Sequence, residues 1–373
     1  MKGSAARLSR SDSGQTCGCG QPVMAHDSRC PACGSALGFD PWQGRVLTLL
    51  PAREEGWWLE SGNKAPKRTL HYRRCANFES AARCNWLLDA NDLKLGEFCR
   101  SCRLTRRLPD LSQPEDQTRW CQIEQAKRTL VASLIALRLP VQSKAEDAER
   151  GLAFDVLQAT PWGEPAVTAQ AEGVITIDVE EAEDETREQR RAVLGEPYRT
   201  LLGQLRHDSG HYYWQRLVRG SPWRAPFRKL FGDERSNYPQ ALSEYRERGA
   251  PTDWSERHLS AYASSHPCED WAETWSYFLQ MIDTLDTARH LGLDNSKAVN
   301  LAQRLAASDL RAPTDACSAD FAGLLNEWIE FNAVLNELSR SMGLRDFSPT
   351  VLSALAVRKL LFVHRVIRAQ VEA

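Results

Sequence analysis

Several features that would place this chain in a familiar functional class are missing from its sequence. No apolar run approaches the roughly 20 residues that a helix needs to cross a bilayer, so we expect no membrane span. The first ten residues, MKGSAARLSR, contain no apolar core of a signal peptide. No glycine-rich loop of the kind that cradles phosphates is present. These absences predict a cytoplasmic protein that has no membrane partner and no nucleotide chemistry.

The chain also lacks a strong charge of either sign. Its 47 Lys and Arg residues nearly balance 49 Asp and Glu residues, which leaves a net charge of −2. The molecule as a whole is therefore not an electrostatic binder of nucleic acid. The charge is uneven, however, because residues 64–107 hold eleven Lys and Arg against four Asp and Glu. Two interpretations stay open for this basic region: a solvated surface, or a docking site for an acidic protein or a nucleic acid.

Cysteine, in contrast, is plentiful. Eight of the eleven cysteines fall within the first 102 residues, and disulfides are rare in the cytosol, so metal binding explains them better. Cys17-Gly-Cys19 and Cys30-Pro-Ala-Cys33 are each followed by glycine, a pattern typical of zinc-ribbon knuckles. The first pair is C-x-C rather than the usual C-x-x-C. His26 is therefore an alternative ligand if Cys17 or Cys19 does not bind.

A second group of four cysteines follows in the basic region. Cys99-Arg-Ser-Cys102 has the C-x-x-C spacing of a knuckle, whereas Cys75 and Cys84 stand wider apart. The spacing predicts a second, distorted four-cysteine zinc site. Zinc ribbons serve as scaffolds or binding modules in many proteins, so neither site decides the function.

The centre of the chain carries two histidines at helical spacing. His207 and His211 are four residues apart in a predicted helix, so both imidazoles leave one face of it. Zinc peptidases present their first two ligands in this way in the motif His-Glu-x-x-His. In this chain Asp208 occupies the position of the Glu. The general base of such enzymes is a carboxylate at this position.

A later helix offers acidic partners for these histidines. Glu269 and Glu273 are four residues apart and share one helix face. One carboxylate can ligate zinc while the next accepts the N–H of a ligating imidazole. Two His and one Glu with an open fourth position form a catalytic zinc arrangement. An exposed helix face is the alternative interpretation of the two glutamates, and His266 is a rival third ligand.

Two specific strings carry a family resemblance. Arg206-His-Asp-Ser-Gly-His-Tyr-Tyr-Trp214 and Glu269-Asp-Trp-Ala-Glu273, together with the cysteine modules, resemble a bacterial family of zinc-ribbon proteins with a gluzincin-like zinc metallopeptidase domain. The likeness covers nearly all of the chain. It implies zinc ligation by His207, His211 and Glu269, and an outer orienting role for Glu273.

The same resemblance implies a mechanism. Tyr262 lies seven residues before Glu269, where related toxin-type gluzincins keep a Tyr that can stabilise the oxyanion. The family pattern has Glu where this chain has Asp208, which is shorter by one methylene, or roughly 1.5 Å. We therefore expect zinc-activated water to attack a peptide bond with Asp208 as base, at an activity weakened by the shorter side chain.

The predicted fold is α+β, with N-terminal zinc ribbons followed by a mainly helical, zincin-like domain that contains a small β-sheet. Apolar spacing predicts a helix from Glu115, a long helix from Gly195-Glu-Pro197 and a last helix from Ser348-Pro349. We expect four segments: a disordered N-terminus and first ribbon (1–52), a second four-cysteine module (53–112), a catalytic domain (113–290), and a C-terminal helical part packed on it (291–373).

The sequence thus supports two functions from different classes. The first is a zinc-dependent peptidase with one catalytic-type zinc, one or two structural zincs, and a peptide or protein substrate. The alternative is a non-catalytic zinc scaffold, whose ribbons and basic module bind a protein or nucleic-acid partner. Asp208 is the residue that separates the two.

Overall fold

The computed structural model describes residues 15–61, 70–158, 169–194, 196, 199–293, 305–310, 315–349 and 351–372. The chain divides into two compact units, Met1–Arg187 with Thr200–Leu205, and Glu188–Arg199 with Arg206–Ala373. None of the helices within the described ranges combines the length and the apolar character that a bilayer span requires.

The first unit begins with a five-stranded antiparallel sheet whose strands follow sequence order. Leu47, Leu49, Tyr72 and Leu87 form its buried face. Gly38 is required there, because a Cβ at this position would lie 2.6 Å from a Leu87 methyl carbon. The strands are β1 (Ala36–Asp40), β2 (Arg45–Pro51), β3 (Trp57–Glu60), β4 (His71–Arg74) and β5 (Leu87–Leu88). The sheet therefore takes strands from both predicted cysteine modules, β1 and β2 from residues 1–52 and β3, β4 and β5 from residues 53–112.

A second sheet and one long helix complete the first unit. Helix α1 (Pro114–Ala136) starts at a proline, whose fixed φ suits the first helical turn. The four strands are β6 (Thr105–Arg107), β7 (Ala153–Leu157), β8 (Ala169–Ala171) and β9 (Val174–Asp178), in the order β6-β7-β9-β8. β6, β7 and β9 run parallel, and β8 pairs antiparallel at the edge.

The second unit is helical among its described residues. Its helices include α4 (Arg224–Phe231), α5 (Tyr238–Arg248), α6 (Trp254–Arg257), α7 (Pro267–His290), α8 (Ala316–Ser341) and α9 (Ala354–Glu372). Helices α2 (Asp184–Leu194) and α3 (Leu201–Tyr213) each include residues of both units. A π-helical turn at Trp214–Val218 follows α3 directly. The fold class is α+β, as the sequence predicts.

Helix boundaries differ from the sequence expectation in two places. α3 begins at Leu201, since residues 199 and 200 are not helical, and Gly195 and Pro197 lie outside the described residues. α9 begins at Ala354 rather than at Ser348-Pro349, because Asn336 side-chain atoms bind the backbone of Phe347 and Ser348 and hold these residues in a bend. The four-segment division of the chain stays a prediction.

A buried ion pair joins α9 to α7 within the second unit. The Lys359 ammonium contacts the Asp270 carboxylate at 2.5 Å, and both side chains are almost fully buried. It also donates to the Arg257 carbonyl at 2.6 Å. Removing one partner of such a pair costs about 3–5 kcal/mol because the other charge is left buried. This pair fixes the helix residue next to Glu269.

His364 on α9 is a buried imidazole with an acid-sensitive role in stability. Its ring lies 5.9 Å from that of Phe278 and 5.6 Å from that of Phe321, and no described residue hydrogen-bonds to either ring nitrogen. Burial, together with Arg368 and Arg365, lowers the pKa of His364 from 6.5 to about 4. The folded protein therefore binds this proton less readily than the unfolded chain does.

The sign of the resulting pH dependence follows from linkage. The stabilisation by neutral His364 is complete above about pH 6.5 and is lost as the pH falls toward 4. Between pH 7.5 and pH 5 this loss is about 2 kcal/mol. We expect His364→Phe to remove this pH-dependent part of the stability. Urea unfolding at pH 7.5 and pH 5 measures the free energy of unfolding of both proteins. Acid effects at other groups are the same in both proteins and cancel when their free energies of unfolding are subtracted. A difference in free energy of unfolding between variant and wild type that is equal at the two pH values would therefore contradict the assignment to His364.

Candidate metal centre

The centre is built where α3 crosses α7 at close range. A Cβ at Gly210 would lie 3.0 Å from the Ala272 Cα, so only glycine permits this approach without displacement. Two indole N–H groups of α7 fix the crossing. Trp271 donates to the Gly210 carbonyl at 2.8 Å, and Trp275 donates to Ser209 Oγ at 3.1 Å. The Asp-Ser-Gly-His part of the central motif is thus a packing surface as well as a source of ligands.

This packing brings the two histidines and Glu269 together. The His207 and His211 rings lie 5.2 Å apart and nearly perpendicular. His207 Nε2 lies 3.1 Å from Glu269 Oε2, and His211 Nε2 lies 3.4 Å from Glu269 Oε1. One candidate ligand atom from each of the three residues lies within 4.8 Å of the others. The sequence expectation that these side chains converge agrees with this geometry.

The spacing of these atoms fits a tetrahedral ion. With ligand bonds of about 2.0–2.1 Å, the edges of a zinc tetrahedron are roughly 3.3 Å, and the observed 3.1 and 3.4 Å, one to each Glu269 oxygen, are of this size. Glu269 Oε2 is buried, and no described residue gives it a well-aligned hydrogen bond. An orphaned carboxylate oxygen facing an imidazole nitrogen is costly unless a cation compensates it. The three residues therefore fit a zinc ion.

Glu273 lies behind His207, on the side away from Glu269. Its Oε1 is 2.9 Å from His207 Nδ1, so a proton on Nδ1 would face the carboxylate and leave Nε2 free for a metal. Arg199 binds Glu273 Oε1, and Ser260 donates to Glu273 Oε2 at 2.8 Å. The carboxylate that orients the imidazole is therefore itself held by a cation and a hydroxyl.

The pKa shifts of His211 and Glu269 suit metal binding, whereas the shift of His207 reflects its two carboxylate neighbours. Burial lowers the pKa of His211 to about 4, so its imidazole is neutral and available as a ligand near pH 7. Burial opposes ionisation of Glu269, but the two histidines and the Tyr238 hydroxyl outweigh it and lower its pKa to about 2. Burial and Arg199 lower the pKa of His207, yet the two glutamates raise it to about 9 overall. In the absence of a metal, this raised pKa keeps His207 protonated near pH 7, with its ring nitrogens facing the carboxylates of Glu269 and Glu273.

The structure also places the other predicted site residues, Tyr262, Asp208 and His266. The Tyr262 ring lies 6.3 Å from the His207 ring, and its hydroxyl is 3.5 Å from Glu196 Oε1. Asp208 follows His207 in α3 and is buried, with 5% of its surface exposed. His266, the rival ligand, instead caps α7, because its Nδ1 accepts the Cys268 backbone N–H at 3.1 Å. The catalytic roles of Asp208 and Tyr262 stay predictions.

Three residues of the centre were not foreseen from the sequence. Arg199 and Ser260 bind Glu273, and Tyr238 donates to Glu269 Oε1 at 2.7 Å. None of the three stands at a helical spacing from a ligand, and none belongs to a recognisable motif. Only the folded chain brings them to the centre.

The first four cysteines form a separate cluster in the first unit. Cys17 Sγ lies 3.6 Å from Cys33 Sγ, and Cys19 Sγ lies 3.8 Å from Cys30 Sγ. Zinc–sulfur bonds of about 2.3 Å give tetrahedral edges of roughly 3.8 Å, which these distances match. Gly34, with φ of 73°, turns the chain after the second pair. Four cysteines supply a complete ligand set, so His26 is not needed.

The second four cysteines form a fully buried cluster. Cys84 and Cys99 Sγ atoms are 3.6 Å apart, and Cys75 Sγ accepts the Cys99 N–H at 3.3 Å. Arg128 of α1 is buried nearby; burial lowers its pKa, but the Cys84 and Cys102 thiolates outweigh this and raise it. A zinc ion with four thiolates carries two negative charges, and this guanidinium offsets one of them.

Part of the basic excess around this module is used inside the fold. Arg103 pairs with Asp92 at 2.8 Å, Arg106 pairs with Asp155 at 2.6 Å, and the Arg74 guanidinium lies 4.9 Å from the Trp58 ring centre. These contacts engage three of the cations within the fold, although the Arg106 side chain stays half exposed. A protein or nucleic-acid partner for this surface stays a prediction.

Comparison with known proteins agrees with these clusters. The profile of a family described as "Putative zinc-binding metallo-peptidase" matches residues 116–366, which is more than half of the chain. The chain belongs to this family. The profile of a zinc-ribbon domain matches residues 15–113 of the same chain. The protein is therefore a zinc-ribbon protein that carries a domain of this metallo-peptidase family, as the sequence resemblance predicts.

Two relatives match this chain over almost its whole length. An uncharacterized protein of Mycobacterium tuberculosis (strain H37Rv) is 37% identical over 350 residues, which cover 94% of this chain and 93% of the relative. An uncharacterized protein of Mycobacterium bovis matches with the same identity and coverage. No solved structure matches the chain.

Proposed function

We propose that the protein is a zinc-dependent peptidase whose catalytic centre consists of His207, His211 and Glu269. The observation that carries the proposal is the convergence of two imidazole nitrogens on the Glu269 carboxylate, with His207 Nε2 at 3.1 Å from Oε2 and His211 Nε2 at 3.4 Å from Oε1. A His₂Glu set leaves one position open, which is the arrangement of catalytic rather than structural zinc. The two cysteine clusters are the structural zinc sites of this proposal, which makes three zinc ions per chain.

The surrounding residues orient the ligands. Glu273 Oε1 lies 2.9 Å from His207 Nδ1, where it would orient a protonated Nδ1 and leave Nε2 for the metal. Arg199 and Ser260 hold both oxygens of Glu273, so the carboxylate has little freedom to turn away. Bound zinc would act as a Lewis acid toward the water and the scissile carbonyl.

Asp208 and Tyr262 supply the remaining chemistry of the proposed reaction. The Asp208 carboxylate takes the proton of the attacking water and later gives it to the departing amine. The Tyr262 hydroxyl donates a hydrogen bond to the oxygen that gains negative charge in the transition state. Burial of Asp208 and Tyr262, each 5% exposed, supports these roles, since a site that excludes water strengthens such contacts.

Peptide hydrolysis by the purified protein tests the proposal. An internally quenched peptide library should be cleaved, cleavage should stop when zinc is chelated, and stoichiometric zinc should restore it. Asp208→Asn keeps the size of the side chain and removes its charge, so we expect a loss of about 10²–10⁴-fold in rate. Cleavage that survives both chelation and Asp208→Asn would refute a zinc-dependent reaction with this base.

One observation favours a second function. Asp208 is one methylene shorter than the Glu of the family pattern, and a displacement of about 1 Å can cost on the order of 10²-fold in rate. The alternative is therefore a non-catalytic zinc scaffold that binds a partner through its ribbons. Absence of cleavage by the wild type, together with a gain in Asp208→Glu, would support this function and a decayed catalytic centre.

We further propose a cytosolic location. All eleven cysteines are unpaired by disulfides, and eight of them lie in the two clusters with metal-binding spacing. Thiolate zinc sites of this kind persist where disulfides are kept reduced. Fractionation of cells that express the protein at its natural level would test the location.

A further inference from the structure

Tyr238 is the one phenol that contacts a proposed zinc ligand among the described hydrogen bonds. Its hydroxyl donates to Glu269 Oε1 at 2.7 Å. It lies at the first position of α5, with 38% of its surface exposed. Tyr238 is therefore partly exposed, whereas Tyr262 is buried.

The segment that carries Tyr238 is fixed to the first turn of α7. His266, the N-cap of α7, contacts Ser236 through its Nε2, at 2.9 Å from Oγ and 3.1 Å from the carbonyl oxygen. The Tyr238 ring also packs edge-on against the His266 ring at 5.0 Å. Asn237 caps α5 by accepting the Gln240 N–H at 3.2 Å. The hydroxyl is thus held in place by contacts that do not depend on Glu269.

The two oxygens of Glu269 have different surroundings. Oε1 accepts the Tyr238 hydroxyl and lies 3.4 Å from His211 Nε2, whereas Oε2 faces His207 Nε2 at 3.1 Å and receives no well-aligned hydrogen bond from the described residues. A carboxylate held at one oxygen presents the other in a fixed direction. Outer hydrogen bonds of this kind orient metal ligands and strengthen metal binding.

We propose that Tyr238 is a positioning residue for the metal centre. Its hydroxyl fixes Oε1 of Glu269 and thereby selects Oε2 as the oxygen that binds the metal. The inference rests on the zinc site proposed above and deepens it, because it assigns distinct roles to the two carboxylate oxygens. Loss of the hydroxyl leaves the carboxylate free to rotate between several orientations, which weakens metal binding without removing a ligand.

Tyr238→Phe tests this role, because it retains the ring and its packing on His266 while it removes the hydroxyl. In competition with a chromogenic chelator, we expect the zinc affinity of the His₂Glu centre to fall about 10–100-fold. The two cysteine sites should keep their affinity. With Co²⁺ in the centre, the visible absorption bands should also shift, since they report ligand geometry.

Tyr245→Phe is the matched control. Tyr245 lies on the same helix, its ring packs on Tyr262 at 5.7 Å, and no described hydrogen bond joins its hydroxyl to Glu269. Wild-type affinity and an unshifted cobalt spectrum are expected for this variant.

The outcomes separate this inference from the proposed function. Equal zinc affinity and equal cobalt spectra in wild type and Tyr238→Phe would overturn the role of Tyr238 while leaving the zinc site intact. A wild type that binds zinc at the cysteine clusters alone would overturn the proposed function, and the inference with it. A loss of affinity as large in Tyr245→Phe would show a general effect of α5 and would also overturn the specific role.

Discussion

Asp208→Glu is expected to raise the rate of peptide hydrolysis by on the order of 10²-fold, because a carboxylate displaced by about 1 Å loses roughly this factor. The extra methylene restores the reach of the base toward the water at the proposed centre. In free energy of activation this gain is about 2.7 kcal/mol. The ratio kcat/KM for one cleaved peptide, measured for both proteins, gives the effect.

Asp208 is buried, so the substitution needs a check on folding. An added methylene in a well-packed site costs about 1–3 kcal/mol of stability. The Tm and the zinc content of Asp208→Glu are therefore measured beside its rate, and Asp208→Asn serves as the variant without a base. An unchanged or lower rate in a folded Asp208→Glu protein that holds its full zinc would contradict the role given to this carboxylate.

The double substitution His207→Ala/His211→Ala is expected to remove one of three zinc ions per chain and to reduce peptide hydrolysis to background. Both imidazoles face Glu269 at 3.1 and 3.4 Å, and alanine leaves no donor in either place. The cysteine clusters belong to a different unit of the chain and should retain their zinc. Plasma mass spectrometry on purified protein counts the metal.

A second double substitution controls for the loss of any two histidines. His26 and His71 are exposed, and neither belongs to a cluster of metal-ligand atoms in the described residues. His26→Ala/His71→Ala should keep three zinc ions and full activity. It also tests the earlier possibility that His26 replaces a cysteine of the first ribbon.

The pairs within the candidate site were predictable because the spacing inside each pair is local. A separation of four residues places His207 beside His211, and Glu269 beside Glu273, wherever the two helices pack. The cysteine quartets are equally local, since each C-x-C or C-x-x-C pair forms one turn of chain. The meeting of the two histidines with Glu269 was suggested instead by ligand chemistry and the family resemblance, and the structure brings one candidate ligand atom of each within 4.8 Å of the others.

The residues around the ligands depend on tertiary structure and could not be predicted in the same way. Tyr238 reaches Glu269 from 31 positions away, and Arg199 reaches Glu273 from 74 positions away. No periodicity links residues at such separations. Gly210 shows a similar limit, because its role as the contact point of α3 with Ala272 follows from helix crossing rather than from a turn.

Helix boundaries and short strands were the least predictable parts of the fold. The start of α9 at Ala354 is set by side-chain contacts of Asn336 with the preceding segment, which no local pattern shows. Strands β4 and β5 have four and two residues, too few for a clear alternation. Their pairing continues in a backbone hydrogen bond from the Cys75 N–H, just after β4, to the Trp86 carbonyl, just before β5.

An anomalous-scattering experiment at the zinc absorption edge tests the central claim most directly, because it locates each ion together with its ligands. Crystals of the wild type should give three peaks per chain: one in each cysteine cluster, and one between His207, His211 and Glu269. Crystals of His207→Ala/His211→Ala should give the two cysteine peaks alone. Wild-type crystals with zinc in both cysteine clusters and no peak between His207, His211 and Glu269 would contradict the proposed catalytic centre.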